Sequence, residues 1–353
     1  FWLQRGVDGL RLDAIIFCFH DKLLRSNPAK PIEERKGRGF RADNPYAFQR
    51  HVHDTCQPEN IGFLESLRNL MNRYPGTVTL GEIASEDSLK TMAEYTAGNS
   101  RLHMTYSFEL LVDDLSASYI RETVETLENN LTDGWPCWAF GNHDVTRVMS
   151  RWNGSDQSPA KAKLLNELLF SLRGSVCSYQ GEELGLTEAE IEQHQLQDPY
   201  GITFWPRFKG RDGCRTPMPW AANDINAGFS ASETWLPVVD AHLSKAVDIQ
   251  AADKHSVLNA YREFLAWRKT QPVLLYGDIE FLDAPDNILM FVRHYKDETI
   301  LAAFNLAAAA ITVSLPDNMQ VSALQKNDLP LAVVNNKYLV LASYASAFCS
   351  VDF

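Results

Sequence analysis

The stretch GVDGLRLD, residues 6–13, is where the fold prediction starts. It is a short apolar run that ends on an acid, which is typical of a buried strand whose end emerges from a sheet. Four runs of the same kind follow: TVTLGEI (77–83), HMTYSFEL (103–110), PCWAFGNHD (136–144) and SVCSYQGE (175–182). We therefore expect five strands, the first over residues 7–13.

Helical periodicity fills the stretches between and after these runs. Apolar residues recur at three- and four-residue spacing over 61–71, 89–95, 120–131, 164–172 and 257–265. Ser158 before Pro159 predicts a helix start, and we expect Gly174 at the C′ position of that helix. Strands that alternate with helices predict βα units around a parallel sheet.

The polar and acidic strand ends favour an α/β fold of the (β/α)8 TIM-barrel type, because active-site residues of such barrels follow several strands. Five strands would be strands 4–8, with the first three preceding Phe1. We expect from this an N-terminally truncated chain. A partial barrel leaves an open sheet edge, so the chain alone is expected to be unstable or inactive.

The alternation of strand-like and helical stretches ends at about residue 276. Short strand-like runs follow at 279–282, 288–295, 299–305, 311–315, 338–341 and 347–351, separated by turn residues. They predict an antiparallel β-sandwich domain over 276–353, after a barrel part over 1–275. Residues 187–253 have little periodicity and are expected to form a long loop over the active site.

The composition excludes several classes of protein. The 353 residues carry 33 Lys and Arg against 45 Asp and Glu, a net charge of −12, so neither nucleic acid nor a membrane surface is an expected partner. No apolar run reaches the length of a membrane span, and the six cysteines form no zinc-binding pattern. With no signal peptide visible, a cytoplasmic location is expected.

Three acids stand at the ends of the predicted strands: Asp13, Glu82 and Asp144. Glycoside hydrolysis uses one ionised carboxylate and one protonated carboxylic acid across the scissile bond. Arg11 precedes Asp13 by two residues, so both face one side of a strand and the guanidinium can hold the acid ionised. Apolar neighbours of Glu82 predict an apolar setting suited to a general acid. His143 beside Asp144 is a pair suited to vicinal hydroxyls.

These acids also carry a family resemblance. GVDGLRLD (6–13), Gly81-Glu82 and FGNHD (140–144) resemble the nucleophile, acid/base and third-acid segments of the α-amylase superfamily, glycoside hydrolase family 13. RDGCRTPMPW (211–220) is similar to the R-x-x-x-R-T-P-M-x-W stretch of its α-glucosidases and oligo-1,6-glucosidases. QGEELG (180–185) resembles the end of their eighth strand.

The resemblance implies a role for each acid. Asp13 would be the nucleophile, Glu82 the acid/base and Asp144 the transition-state stabiliser, with Arg11 and His143 on the same glucosyl unit. The expected activity is that of a retaining, exo-acting α-glucosidase on short oligosaccharides. Its substrates would be maltose-like, with sucrose or isomaltose as further possibilities, and transglucosylation is a possible side reaction.

Four further residues are candidates for substrate binding. Arg211 is expected to contact sugar, and Arg215 is favoured as an anchor of the same loop. Phe17 and Phe108 could stack on a sugar face, although core packing is the more frequent role of such residues. No cofactor is expected, and a structural Ca²⁺ or Mg²⁺ site would belong to the N-terminal part of the family pattern. The expected partner is a small oligosaccharide or disaccharide, and the oligomeric state is left open.

Three alternatives stay open. The same acids serve sucrose isomerases, trehalose synthases and sucrose hydrolases, which only product identity separates. A non-catalytic family member acting as a partner subunit is disfavoured because all three acids are present. A sugar-binding module is disfavoured because binding alone does not require Arg11 to hold Asp13 ionised.

Overall fold

The computed structural model describes residues 1–35, 44–113, 116–152, 156–324, 333–335 and 337–352. Two compact units make up the chain. Unit 1 comprises Phe1–Val112, Glu122–Ala139 and Gly174–Cys177, and unit 2 comprises Asp113–Arg121, Phe140–Arg173 and Ser178–Phe353. The expected domain boundary at 275/276 stays a prediction.

Unit 1 holds five strands, and all of their pairings are parallel. They are β1 (Gly9–Leu12), β2 (Val78–Ile83), β3 (Met104–Ser107), β4 (Cys137–Trp138) and β5 (Ser175–Val176). The first three lie side by side, β4 pairs with β5, and a parallel bridge from Thr105 to Pro136 connects the two groups. Neighbours in the sheet are therefore neighbours in sequence, and the predicted parallel pairing is confirmed.

The strands are shorter than the apolar runs that predicted them. After β3, Phe108 has φ −86° and ψ 8°, so the chain leaves the extended conformation and enters the 3₁₀ turn Glu109–Leu111. The run 136–144 forms a strand only over Cys137–Trp138. Asp144 consequently lies in the loop after β4, and its predicted place at a strand end was wrong.

The α-helices of the described residues comprise five of nine or more residues, which follow the periodicity of the sequence, and five shorter ones. They are α1 (Glu59–Met71), α2 (Ser88–Thr96), α3 (Ala117–Asn130), α4 (Val148–Arg151), α5 (Pro159–Ser171), α6 (Pro199–Phe204), α7 (Asp240–Leu243), α8 (Val247–Ala252), α9 (Val257–Lys269) and α10 (Pro272–Tyr276). Ser158 caps α5 as predicted, because its side chain accepts from the Lys161 N–H. No helix among the described residues combines the length and the apolar character needed to cross a membrane.

Gly174 is not the C′ residue of α5, because that helix ends at Ser171 with Leu172 as its C-cap. Gly174 has a φ of +132°, and a Cβ there would lie 2.6 Å from the Pro136 carbonyl oxygen. The glycine is therefore required by the approach of β5 to the segment before β4, rather than by the helix end.

The C-terminal part of unit 2 forms two antiparallel sheets. Its strands are β6 (Asp278–Phe281), β7 (Ile288–Tyr295), β8 (Glu298–Asn305), β9 (Ile311–Ser314), β10 (Gln320–Ala323), β11 (Val333–Asn335), β12 (Tyr338–Leu341) and β13 (Ser346–Asp352). The sheet orders are β10-β13-β8-β7-β6 and β11-β12-β9. Both sheets contribute to one buried cluster, including Met290 and Leu301 from the first and Val313 and Leu339 from the second. Strands β10 and β11 were missed from the sequence.

The segment 187–253 is less extended than predicted, since it contains α6, α7 and α8. These helices have four to six residues, too few to show an apolar period. Helix α6 begins with an Asp198 cap and Pro199 at its first turn. Its start therefore follows from local capping chemistry and not from an amphipathic face.

Candidate active site

The register of β1, β2 and β3 brings three functional side chains to one level of the sheet. Leu12 pairs with Gly81, and Glu82 pairs with Tyr106. Because the strands are parallel, Asp13 follows its strand at the level of Glu82. Short strands and their register thus place two carboxylates and a phenol at the same sheet edge.

Arg11 connects these side chains, and we call Arg11, Asp13, Glu82 and Tyr106 the Arg11 cluster. Arg11 Nη1 donates to Asp13 Oδ1, and Arg11 Nη2 donates to Tyr106 Oη over 2.8 Å. The same Nη2 lies 2.8 Å from Glu82 Oε1. One guanidinium therefore contacts both carboxylates, and the predicted pairing of Arg11 with Asp13 is confirmed.

Glu82 lies in more polar surroundings than its sequence neighbours predict. Its Oε1 accepts from Tyr106 Oη over 2.8 Å, and its Oε2 accepts from the Ala14 N–H over 3.1 Å. The residue is buried, whereas the Asp13 side chain is 79% exposed. The predicted apolar setting was wrong, because strands β1 and β3 supply polar partners that adjacent residues in the sequence do not reveal.

The backbone turn after β1 supplies one of these partners. Ala14 has φ 44° and ψ 41°, a left-handed conformation that is uncommon for a residue with a Cβ. Its N–H is thereby turned towards Glu82 Oε2. The sequence carried no signal for this contact, since the donor belongs to the backbone and its direction depends on the turn.

The surroundings of the Arg11 cluster raise the pKa values of both Arg11 and Tyr106. Burial lowers the pKa of the Arg11 guanidinium, but the hydrogen bonds to Asp13 and Tyr106 and the charge of Glu82 outweigh it, so its pKa lies above the ordinary value. Burial and the Glu82 charge raise the pKa of the Tyr106 phenol. Arg11 is therefore a permanent cation and Tyr106 a neutral hydroxyl at any physiological pH.

The two aromatic candidates lie in different environments. Phe108 is buried and packs against Tyr106 with ring centroids 6.5 Å apart, so core packing accounts for it. Phe17 ends the 3₁₀ turn Ile15–Phe17 and is exposed. Of the two, only Phe17 is exposed to solvent, and its contact with sugar stays a prediction.

In unit 2, a second group of residues surrounds Asp144; we call His143, Asp144, Asp198, Arg211 and Arg215 the Asp144 cluster. Arg211 Nη1 lies 2.8 Å from Asp144 Oδ1, and Arg215 Nη2 lies 3.1 Å from the same oxygen. His143 Nε2 is 3.4 Å from Asp144 Oδ2. Arg215 Nε also donates to the His143 carbonyl oxygen over 2.7 Å, which fits the predicted anchoring role.

Asp198 is the member of this cluster that sequence reasoning missed. It accepts from Arg211 Nε over 2.9 Å and from Nη2 over 3.0 Å, and also from the Arg211 backbone N–H over 2.8 Å. Arg211 was expected to contact sugar; Asp198 and Asp144 accept from one N–H on each of its three guanidinium nitrogens, so Nη1 and Nη2 each have a second N–H and the sugar contact stays a prediction. The only local signal for Asp198 was its place before Pro199, which marks a helix cap rather than an arginine partner.

The loop that carries Asp144 is held by its own polar residues. The Asn142 side chain accepts from the Asp144 N–H over 2.9 Å. A Cβ on Gly141 would lie 2.6 Å from Glu182 Oε1, so the glycine allows Glu182 to pack against this loop. Burial raises the pKa of the Glu182 carboxyl to about 7, although it accepts from the Tyr179 N–H and the Ser178 hydroxyl.

The described part of the chain contains no group of three or more His, Cys, Asp or Glu side chains placed to hold a metal ion. The polar groups of both clusters are instead engaged with arginines, a tyrosine and backbone N–H groups. Their arrangement suits recognition of hydroxyls and transfer of protons between oxygen atoms.

Comparison with family models divides the chain into two matched regions. Residues 1–277 match the model described as "Alpha amylase, catalytic domain". Residues 279–345 match the model described as "Maltogenic Amylase, C-terminal domain". The first match extends over the strands that carry Asp13 and Glu82 and over the loop that carries Asp144.

Two relatives and two solved structures are similar to this chain. A protein of Rhizobium meliloti (strain 1021) named "Probable alpha-glucosidase" is 48% identical over 319 residues, which cover 90% of this chain and 58% of the relative. Trehalose-6-phosphate hydrolase of Escherichia coli (strain K12) is 30% identical over 341 residues, 87% of this chain and 58% of that protein. The chain thus spans 58% of the length of both relatives.

The crystal structure of the α-glucosyl transfer enzyme XgtA is 55% identical with a TM-score of 0.96, covering 99% of this chain and 65% of that one. The trehalulose synthase of Pseudomonas mesoacidophila MX-45 is 23% identical with a TM-score of 0.83, covering 99% and 66%, and shares the fold. The family match is consistent with the antiparallel C-terminal sheets, and the three acids lie within the region that matches the catalytic domain. The chain belongs to the α-amylase family, glycoside hydrolase family 13.

Proposed function

We propose that the protein to which this chain belongs is a retaining α-glucosidase that releases glucose from the non-reducing end of short oligosaccharides. The observation that carries the proposal is the single Arg11 guanidinium in contact with both Asp13 and Glu82. Retaining glycosidases keep their two carboxyl groups about 5–5.5 Å apart, whereas inverting enzymes separate them by about 6.5–9.5 Å. Two carboxylates that share one guanidinium favour the shorter separation.

The two carboxylates have different proposed roles because their exposure differs. Asp13, exposed and paired with Arg11, attacks the anomeric carbon as that carbon loses its bond to the leaving oxygen. Glu82 donates its proton to that oxygen, and a covalent β-glucosyl enzyme results. Glu82 then takes a proton from water, the water oxygen attacks the anomeric carbon, and α-glucose leaves as Asp13 is released.

The Asp144 cluster is proposed to stabilise the oxocarbenium-like transition state and to hold sugar hydroxyls. Asp144 is the acceptor, and His143 and Arg211 are neighbouring donors. Asp144 keeps a defined orientation because two arginines contact its Oδ1. No metal or cofactor takes part in the proposed steps, and the reacting groups are carboxylates.

The barrel assignment and the substrate class belong to the same proposal. Five parallel strands in chain order support their identification as strands 4–8 of a (β/α)8 barrel. The 48% identity to a protein named as a probable α-glucosidase supports an α-glucosidase activity, and maltose-like substrates are part of the proposal. The linkage preference between α-1,4, α-1,6 and sucrose is a question for product analysis.

Glucosyl transfer is a second candidate function, favoured by the 55% identity to a structure described as an α-glucosyl transfer enzyme. The first half-reaction is unchanged, and a sugar hydroxyl replaces water in the second. The two functions differ in the ratio of oligosaccharide to free glucose, measured as acceptor concentration rises. A ratio that stays near zero assigns the protein to hydrolysis.

The configuration of the first product tests the mechanism. Incubation with maltose, isomaltose, sucrose and trehalose, followed by proton NMR within the first minutes, is expected to show α-glucose before mutarotation. Asp13→Asn is expected to abolish turnover, while Asp8→Asn, an exposed acid of the same stretch, is expected to leave it unchanged. Initial appearance of β-glucose, or turnover that survives Asp13→Asn, would refute the proposed mechanism.

A further inference from the structure

The phenol of Tyr106 is the one side-chain hydroxyl of the Arg11 cluster. Tyr106 lies on β3 as the register partner of Glu82, and its side chain is buried. Its Oη donates to Glu82 Oε1 and accepts from Arg11 Nη2, both over 2.8 Å. The hydroxyl thus lies between the proposed acid/base and the arginine that holds the proposed nucleophile.

The three partners of Glu82 differ in what they can do. The Arg11 guanidinium and the Ala14 N–H only donate, so both suit a carboxylate. A phenol hydroxyl donates one hydrogen bond and has two lone pairs that accept. Since one lone pair accepts from Arg11, the other can accept a hydrogen bond from a proton carried by Glu82 Oε1.

We propose that Tyr106 is a positioning residue that keeps the Glu82 carboxyl group in one orientation in both of its protonation states. The inference rests on the proposed function, in which Glu82 alternates between acid and base within each cycle. When Glu82 is ionised, or carries its proton on Oε2 for the leaving oxygen, Tyr106 donates to Oε1; when the proton is on Oε1, the hydroxyl rotates and accepts. The carboxyl group keeps its place because the phenol ring is fixed by packing against Phe108.

A purely structural role for Tyr106 makes a different prediction. The ring fills its place in the core whether or not it carries a hydroxyl, so Tyr106→Phe keeps the packing and removes only the polar contacts. Tyr95 provides the matched control. It is a buried tyrosine of the same unit, and its hydroxyl accepts over 2.7 Å from Asn60 Nδ2, which is not a member of the Arg11 cluster.

The experiment compares Tyr106→Phe, Tyr95→Phe and the wild-type enzyme on two substrates. One is the disaccharide that the enzyme cleaves best, whose leaving oxygen requires a proton; the other is α-glucosyl fluoride, whose fluoride leaves with little acid assistance. Tyr106→Phe is expected to lower kcat/KM about tenfold on the disaccharide and less than about twofold on the fluoride. Because both substrates are measured on one preparation, the ratio does not depend on the folded fraction.

The pH profile is the second readout. Loss of a donor to the Glu82 carboxylate favours its protonated form, so the alkaline limb of kcat/KM on the disaccharide is expected to move up by about one pH unit in Tyr106→Phe. Tyr95→Phe is expected to leave that limb unchanged. Equal losses on both substrates, or an alkaline limb that does not move, would overturn the positioning role.

Failure of the inference is distinguishable from failure of the proposed function. If the wild-type enzyme releases no glucose from any of the substrates, the proposed function fails and the inference fails with it. If the wild type releases α-glucose but Tyr106→Phe behaves like Tyr95→Phe, the proposed function stands and only the role of Tyr106 is refuted.

Discussion

Replacement of Asp198 by alanine is expected to lower the free energy of unfolding by about 3 kcal/mol. The Asp198 side chain is 0% exposed and accepts three hydrogen bonds from Arg211, through the backbone N, Nε and Nη2. Removal of one partner of a buried ion pair costs about 3–5 kcal/mol. The lower end applies because Arg211 keeps Asp144 at 2.8 Å and its side chain is 31% exposed.

The measurement is urea unfolding followed by circular dichroism, with Asp21→Ala as the control. Asp21 accepts from the same three donors of Arg25, backbone N, Nε and Nη2, but the Arg25 side chain is 57% exposed. Water can replace the lost carboxylate there, so a smaller effect is expected. A loss at Asp198 no larger than the loss at Asp21 would refute the reasoning from burial.

The same variant has a predicted pH dependence. Burial raises the pKa of Asp198, but the hydrogen bonds from Arg211 outweigh it and hold the pKa below the ordinary value. A lowered pKa in the folded state means that the stabilisation is complete above the unfolded pKa of about 4 and is lost as the pH falls through the folded pKa. The difference in the free energy of unfolding between wild type and Asp198→Ala should therefore become smaller below about pH 4. A difference that stays constant down to about pH 2 would contradict the ion-pair account.

Three other variants carry predictions, two in unit 2 and one in a helix of unit 1. Burial raises the pKa of Glu182 to about 7. Relative to Glu182→Gln, the wild type should therefore lose up to about 3 kcal/mol of its free energy of unfolding between about pH 4 and pH 7. Urea unfolding at each pH measures this, and parallel curves of unfolding free energy against pH would contradict it. Gly201→Ala should destabilise by about 1–3 kcal/mol, because its Cβ would lie 2.5 Å from the Lys209 carbonyl oxygen. Gly62 lies in helix α1, and a Cβ added there would have no atom within 4 Å apart from the backbone of its own helix. Gly62→Ala should therefore stabilise the protein by about 0.5–1 kcal/mol. Thermal unfolding that ranks the two glycine variants otherwise would refute the steric argument.

The part of the active site that could be predicted from sequence depends on short-range geometry. Arg11 and Asp13 are two residues apart on a strand, so their contact follows from the alternation of side chains. The caps of α5 and α9 are likewise local, since Ser158 and Ser256 accept from N–H groups three residues ahead. The parallel order of the strands followed from their alternation with helices.

The contacts that sequence reasoning missed join residues far apart in the chain. Tyr106 reaches Glu82 only because β3 pairs with β2 in one register, and a shift of one residue would turn its phenol to the other face. Asp198 contacts Arg211 because the chain between them folds back through α6, and no apolar period in the sequence predicts that helix. The polar setting of Glu82 was misjudged for the same reason, since flanking residues do not report what neighbouring strands contribute.

Motifs, periodicity and i, i+2 spacing act over a few residues, so the family, the parallel βα order, the antiparallel C-terminal part and the three acids could be predicted from the linear pattern. The way those acids are held depends on the tertiary structure: one guanidinium contacts Asp13 and Glu82, a phenol lies between Glu82 and Arg11, and the buried Asp198 accepts from Arg211. Hydrogen-bond partners depend on distances below about 3.2 Å between separate elements. Such distances are set by strand register and loop closure, which a linear pattern does not contain.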